Sequence, residues 1–422
     1  MSTRRLATGG LIDRSKPITF SWDGKKRSGY SGDTLASALI ANGDRVVGRS
    51  FKYHRPRGVM SAGVEESGAI VTVGAGSRTE PNVKATVQEL YDGLVARGQN
   101  AWPSVRFDLG SVNNLLGRFF AAGFYYKTFM GIPPLEWGSG TGMWMRYERI
   151  IRKAAGMGEA SRLPDPDHYE HAHAFCDVLV VGAGPAGIAA ARATAEAGLD
   201  VVLVEQDSVL GGTQLSTPSG GSELIPSIEE LESMGVRVMT RTTAFGLYDY
   251  SVAGLVERVT DHLSDPPGYL PRHRFWTLRA KYTIVAAGAI ERHIAFGNND
   301  RPGVMTAAAV RTYVNRFAVL PGENIIIATN NDSVYEGAVE LSSAGAQVTL
   351  LDARSTVSTE YKQQLTEHNI EVRCGMAPLQ VQAAGSTAAL EIATADGDGS
   401  VSYTHLRAHE TREDGGWRGV RG

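Results

Sequence analysis

Cysteine is nearly absent: Cys176 and Cys374 are the only two in 422 residues. Two thiols so far apart cannot form a CxxC redox pair, a thiolate cluster or a four-cysteine zinc site. Their scarcity fits a reducing compartment. Long apolar runs are also lacking. The nearest to a span of about 18 residues, 178–195, is broken by Gly182, Gly184, Pro185, Gly187 and Arg192, so no membrane segment is expected. Arg4 and Arg5 open the chain without a following apolar stretch, which argues against a secretory signal and for the cytoplasm. An excess of one charge is missing too. Lys plus Arg total 42 against 45 for Asp plus Glu, a net charge of −3, so neither nucleic acid nor a membrane surface is an expected partner. G-x-S-x-G, H-E-x-x-H and G-x-x-x-x-G-K-[ST] do not occur, which leaves hydrolase and P-loop readings without support.

Glycine, by contrast, is abundant: 49 residues of 422, against a usual level of about 7%. No G-X-Y period accompanies it, so the excess belongs to turns or to places where backbone meets a ligand closely. Four textures follow one another along the chain. Residues 1–95 alternate in short runs. Ile18 to Trp22 has strand period, Asp23-Gly24 signals a hairpin, Thr34 can cap a helix from Leu35 to Ala41, and residues 69–73 read as a further strand. A small α+β domain fits. Residues 96–174 form an aromatic-rich segment, with eleven aromatics between Trp102 and Tyr147. It reads either as a linker packed over the next domain or as a subunit interface or substrate-channel wall. Its end, with His168, His171 and His173, reads as a polar loop rather than a metal site, and no metal ligand is assigned. Residues 175–395 carry the main motif, and residues 396–422 show no apolar period and are left without structure.

The motif begins at Cys176 and runs through a fully apolar strand into Gly182-Ala183-Gly184-Pro185-Ala186-Gly187. In such a G-x-G-x-x-G turn, Gly182 makes the tight bend, Gly184 leaves room for a pyrophosphate, and Gly187 lets the helix approach the strand. Pro185 falls at the first helical turn, where a missing N–H costs nothing. The Ala-rich helix ends at Gly198, and a second strand ends in Glu205, 18 residues after Gly187. A carboxylate there accepts from ribose hydroxyls and repels a 2′-phosphate, which favours NAD or FAD over NADP. Gln206 follows it, and Gly211-Gly212-Thr213 resembles the second glycine element of two-dinucleotide-binding flavoproteins. Residues 275–288 read as a strand, a turn and a buried strand that returns to the cofactor at Gly288. Residues 320–395 read as a degenerate second βαβ unit, since the turn from Thr329 to Tyr335 has no glycine, and a second pyrophosphate is not expected there. The candidate cofactor residues are therefore Gly182, Ala183, Gly184, Pro185, Ala186, Gly187, Glu205, Gln206, Gly211, Gly212, Thr213 and Gly288. No catalytic residue is assigned.

Several unusual strings resemble the α subunit of heterotetrameric sarcosine oxidase. They are Ser50-Phe-Lys-Tyr-His-Arg-Pro-Arg-Gly58, Gly123-Phe-Tyr-Tyr-Lys-Thr-Phe-Met130, Ile150-Ile-Arg-Lys-Ala-Ala-Gly156, Gly288-Ala-Ile-Glu-Arg292, Asn299-Asp-Arg-Pro-Gly303 and Thr329-Asn-Asn-Asp-Ser333. The resemblance spans about 10–395. It implies an α/β chain: a Rossmann-like two-dinucleotide-binding flavoprotein domain preceded by a β-grasp, ferredoxin-like α+β domain. Cluster-bearing relatives place cysteines after the Arg-Pro-Arg-Gly segment; Val59 to Ser67 has none, so the domain is expected to lack a [2Fe-2S] cluster. The resemblance further implies NAD in this chain, FAD in a β subunit, FMN at the α/β interface, and γ and δ subunits. The complex would oxidise sarcosine to glycine and hydrogen peroxide, with tetrahydrofolate accepting the methylene group at a C-terminal half that is not present here. The tail 396–422 reads as a non-native junction on a truncated chain. Two other readings remain open: a subunit of a related amine, opine or proline dehydrogenase, and a non-catalytic dinucleotide-binding assembly subunit. The pairs Glu291-Arg292 and Asp300-Arg301 are either salt bridges within a Pro/Gly loop or part of a flavin interface.

Overall fold

The computed structural model describes residues 4–51, 53–112, 158–218 and 225–381, together with the backbone of the strands Leu390–Ala393, Ser400–Tyr403 and Arg407–Glu410. The aromatic positions from Phe119 to Tyr147 lie outside these residues; Trp102 and Phe107, which lie inside, are exposed.

The N-terminal domain is a five-stranded sheet in the order Lys25–Ser31, Asp13–Trp22, Val95–Gly98, Ile70–Val73, Glu80–Lys84. Asp23 and Gly24 both have positive φ, as a two-residue hairpin turn of type I′ requires. The helix Leu35–Ala41 lies across the sheet with all seven residues buried. Thr34 and Ser37 form a reciprocal capping box at its start. The parallel pairing of Asp13–Trp22 with Val95–Gly98 closes a β-grasp arrangement. That strand carries the domain past the expected boundary at residue 95.

The second sheet has six strands, in the order Val236–Met239, Val201–Val204, Tyr169–Val181, His273–Val285, Val252–Arg258, Thr242–Tyr248. The first four run parallel, and the last two are antiparallel additions. Two expectations are corrected here. Residues 169–174, read as linker and polar loop, are strand, because Ala172 and Ala174 turn inward while His171 and His173 turn out with period two. Residues 273–285 make one unbroken strand with no turn, since each residue from His273 to Ala280 pairs with Tyr169 to Cys176.

The third sheet is parallel, in the order Met305–Thr306, Arg407–Glu410, Asn324–Thr329, Gln347–Asp352, Glu371–Cys374. The helices Tyr335–Ser343 and Thr359–Glu367 join its strands, as the βαβ reading expects. Arg407–Glu410 falls in the stretch expected to lack structure. Its backbone fills the slot between Met305–Thr306 and Asn324–Thr329, so ladder hydrogen bonds, to which composition is blind, define it. One apolar core joins the N-terminal domain to this half: Phe20 and Leu39 belong to the same buried cluster as Tyr313, Phe317 and Ile325.

Candidate dinucleotide site

The strand Tyr169–Val181 delivers the chain to Gly182 at φ +100°, a conformation open to glycine. A Cβ there would lie 2.4 Å from the Ala286 carbonyl oxygen. At Gly187 a Cβ would lie 1.8 Å from the Gly182 carbonyl oxygen, so close packing of helix on strand demands glycine. Gly184 differs: the nearest atom to its added Cβ is 4.0 Å away. Its open side is the space a pyrophosphate requires. The helix Pro185–Glu196 starts there with Pro185 at its first position, and its first-turn amides have no intrahelical partner.

The other candidate residues close around this turn. The Gly211 amide donates to the Ala183 carbonyl at 2.8 Å, and Gly212 packs with its Cα side against Gly184. The Ala286 amide donates to the Val181 carbonyl at 2.8 Å, and the Ala287 Cα would lie 3.3 Å from a Cβ on Gly182; Gly288 follows it and has nothing within 4 Å of its own Cβ position. Glu205 is 8% exposed. One carboxylate oxygen accepts the Ala183 amide at 2.7 Å and the other accepts the Asp207 amide at 2.9 Å. Burial raises its pKa, opposed by these backbone hydrogen bonds. Each oxygen keeps a lone pair for a ribose hydroxyl. Glu205, Gln206, Gly212 and Thr213 line a cavity of about 590 Å³; Gly182, Ala183, Gly184, Pro185, Ala186, Gly187, Gly211 and Gly288 do not. The residues present fit a dinucleotide: a glycine cradle with space at one position, a helix start, and an acid at the strand end.

The second half lacks such a cradle. Asp352, the acid at its strand end, is fully buried and accepts from the Tyr335 hydroxyl and from Arg354 at 2.8 and 3.0 Å. Its ribose-facing capacity is already taken.

Two loops with unusual strings meet. Arg55 donates to Asn298 at 2.8 Å and to Asp300 at 2.6 Å, Arg57 pairs with Asp300 at 3.0 Å, and a Cβ on Gly58 would lie 2.8 Å from the Pro302 Cα. Glu291 accepts the Ala307 and Ala308 amides at 3.0 and 2.7 Å, at the start of the helix Ala307–Asn315. Burial, with Glu65 adding repulsion, pushes its carboxyl up to about 7. Sequence reading missed this cap because sixteen residues separate acceptor from donor.

A [2Fe-2S] cluster does not fit the N-terminal domain. No cysteine lies in it. In the loop after Gly58 a carboxylate takes up the inward-pointing amides instead: Glu66, 2% exposed, accepts from Met60, Ser61, Gly68 and Ala69 at 2.9, 2.8, 2.5 and 2.8 Å. The Cys176 thiol is pushed up to about 11 by burial, so it offers no reactive thiolate, and neither Cys176 nor Cys374 is in a disulfide. Among the described residues no group of three or more His, Cys, Asp or Glu side chains could hold a metal ion, and no helix is long and apolar enough to cross a membrane.

Residues 176–407 match the family model described as pyridine nucleotide-disulphide oxidoreductase, which covers more than half of the chain. The chain belongs to this family. Residues 15–101 match a second model, a 2Fe-2S iron-sulfur cluster binding domain. Within this oxidoreductase family the chain is a homologue of sarcosine oxidase α subunits. It is 46% identical to the sarcosine oxidase subunit alpha of Rhizobium meliloti (strain 1021), over 97% of this chain and 42% of that protein. It is 36% identical to that of Corynebacterium sp. (strain U-96), over 92% of this chain and 36% of that protein. The chain thus spans less than half the length of these curated relatives. Its fold is similar to that of L-proline dehydrogenase from P. horikoshii, with a TM-score of 0.54 and 18% identity, over 96% of this chain and 62% of the other.

Proposed function

We propose that this chain is the dinucleotide-holding α subunit of a sarcosine oxidase complex, located in the cytoplasm and binding NAD at the Gly182 turn. The observation that carries this reading is the cradle itself: Gly182 and Gly187 sterically forced, Gly184 open, and Glu205 at the strand end. Likeness to sarcosine oxidase α subunits along 97% of the chain supports the choice of complex. In the complex FAD would reside in the β subunit and FMN between α and β, with γ and δ completing the assembly. The overall reaction would convert sarcosine, oxygen and tetrahydrofolate into glycine, hydrogen peroxide and methylenetetrahydrofolate.

The first-turn amides of Pro185–Glu196 would face the pyrophosphate, and Glu205 would accept from the adenosine ribose. Bound NAD would supply a nicotinamide ring able to take a hydride. This chain's own residues bind and orient; none is assigned to proton transfer. Mass spectrometry of the ligand released from the denatured chain tests the reading. NAD is the expected species, and FAD in its place overturns the assignment. Gly184→Val is expected to abolish binding, because its side chain would occupy the open side of the turn. The isolated chain is expected to show no sarcosine turnover; turnover at the rate of the full complex would move the chemistry into this chain.

A further inference from the structure

The cavity of about 590 Å³ beside Glu205 is not contained in the dinucleotide domain. Its volume falls within the range of about 300–1,000 Å³ usual for small-molecule sites. One wall is the strand end Glu205 to Ser208, with Gly212 and Thr213 leading back to the turn. The facing wall is the N-terminal domain, from residues 31–34, 62–65, 86–87 and 89–90. The helix Ala307–Asn315 closes a third side. The facing wall presents Val64, Val87 and Leu90, which are apolar and suited to the flat face of a base.

Among the three arginines of the lining, one stands apart. Arg241 makes a bidentate pair with Glu89 at 2.7 and 2.8 Å, and Arg316 makes one with Asp207 at 2.5 and 2.9 Å. Both guanidiniums are neutralised. Arg258 forms no ion pair among the described residues; it donates to the Gln206 carbonyl at 2.8 Å and to the Val87 carbonyl at 3.2 Å. A single guanidinium therefore bridges the strand end of one domain and the wall of the other, with its charge left for the cavity.

We infer that the adenosine end of the dinucleotide lies between the two domains, with the N-terminal domain as its outer wall and Arg258 as the positioning residue that couples them. This rests on the dinucleotide reading of the Gly182 turn. It gives the N-terminal domain, which cannot hold a cluster, a task of its own. Ligand binding and domain packing then form one linked equilibrium, since a ligand that touches both domains stabilises their contact.

Hydrogen exchange of the full chain with and without NAD tests the inference. Exchange is expected to slow at residues 62–65 and 86–90 as well as at 182–187. Val64 is 38% exposed, so Val64→Asp should leave the fold intact while placing a carboxylate on the cavity wall. We expect Arg258→Met to weaken NAD binding about tenfold, the size of one lost charge-assisted contact, and Val64→Asp to weaken it by about as much by setting a carboxylate against the bound ligand. Protection at 182–187 without protection in the two N-terminal segments overturns the inference while sparing the turn assignment. So does unchanged NAD affinity in Val64→Asp. If the unmodified chain binds no NAD, both readings fall together.

Discussion

Three glycines in one turn carry different burdens, and substitution separates them. Gly187→Ala sets a Cβ 1.8 Å from a carbonyl oxygen, so the helix must shift. We expect it to lower stability by about 3 kcal/mol, the scale of core overpacking, as measured by urea unfolding. Gly184→Ala meets only the Gly212 Cα, 4.0 Å away and without a clash, and should leave the urea midpoint unchanged while weakening dinucleotide binding. Glu291 offers a pH signature. Its folded pKa of about 7 exceeds the value of 4.5 for a free glutamate, so the native state holds the proton more tightly. Its contribution is therefore full below pH 4.5, falls as pH rises toward 7, and is gone above. The shift corresponds to about 3 kcal/mol. The unfolding midpoint should fall between pH 4.5 and 7, and Glu291→Gln should flatten that slope. A wild-type midpoint that rises over this range would contradict the assignment.

At the scale of elements, the loop from Gly58 to Ala69 is organised by one carboxylate. Glu66→Ala leaves four buried or half-buried amides without their acceptor. At about 1–3 kcal/mol for each unsatisfied buried group, even partial rehydration leaves a loss of 3 kcal/mol or more, which urea unfolding would detect. Incubating the chain with iron and sulfide should give no cluster absorption, because the N-terminal domain has no cysteine to bind one. The helix Leu35–Ala41 depends on its cap, and Thr34→Ala should cost about 1 kcal/mol. These elements were unequally legible. The hairpin turn at Asp23-Gly24, the capped helix and the fingerprint strand are local patterns, so the sequence displays them. The strand Arg407–Glu410 and the unbroken strand His273–Val285 draw their hydrogen bonds from partners far away in the chain. No local window contains that information.

At the scale of the molecule, the N-terminal domain and the second nucleotide half share one core. Tyr313, 0% exposed, donates its hydroxyl to the Ser61 carbonyl at 2.9 Å, and Arg5 bridges Asp33 and the Phe317 carbonyl. Deleting residues 1–100 should therefore expose Val310, Tyr313 and Phe317 and abolish a single cooperative transition in calorimetry. The sequence by itself determined the cofactor turn, since bend, clearance and close packing each require glycine at a set spacing. It also determined the loss of the cluster, since ligands that are not encoded cannot be supplied by folding. Tertiary structure alone decided that Glu66 is the shared acceptor for the amides of its loop, that Glu291 caps a helix sixteen residues away, and that the cavity beside Glu205 has a second domain for its outer wall. Each of these joins groups whose meeting depends on how sheets and loops pack, and the order of residues along the chain does not express packing.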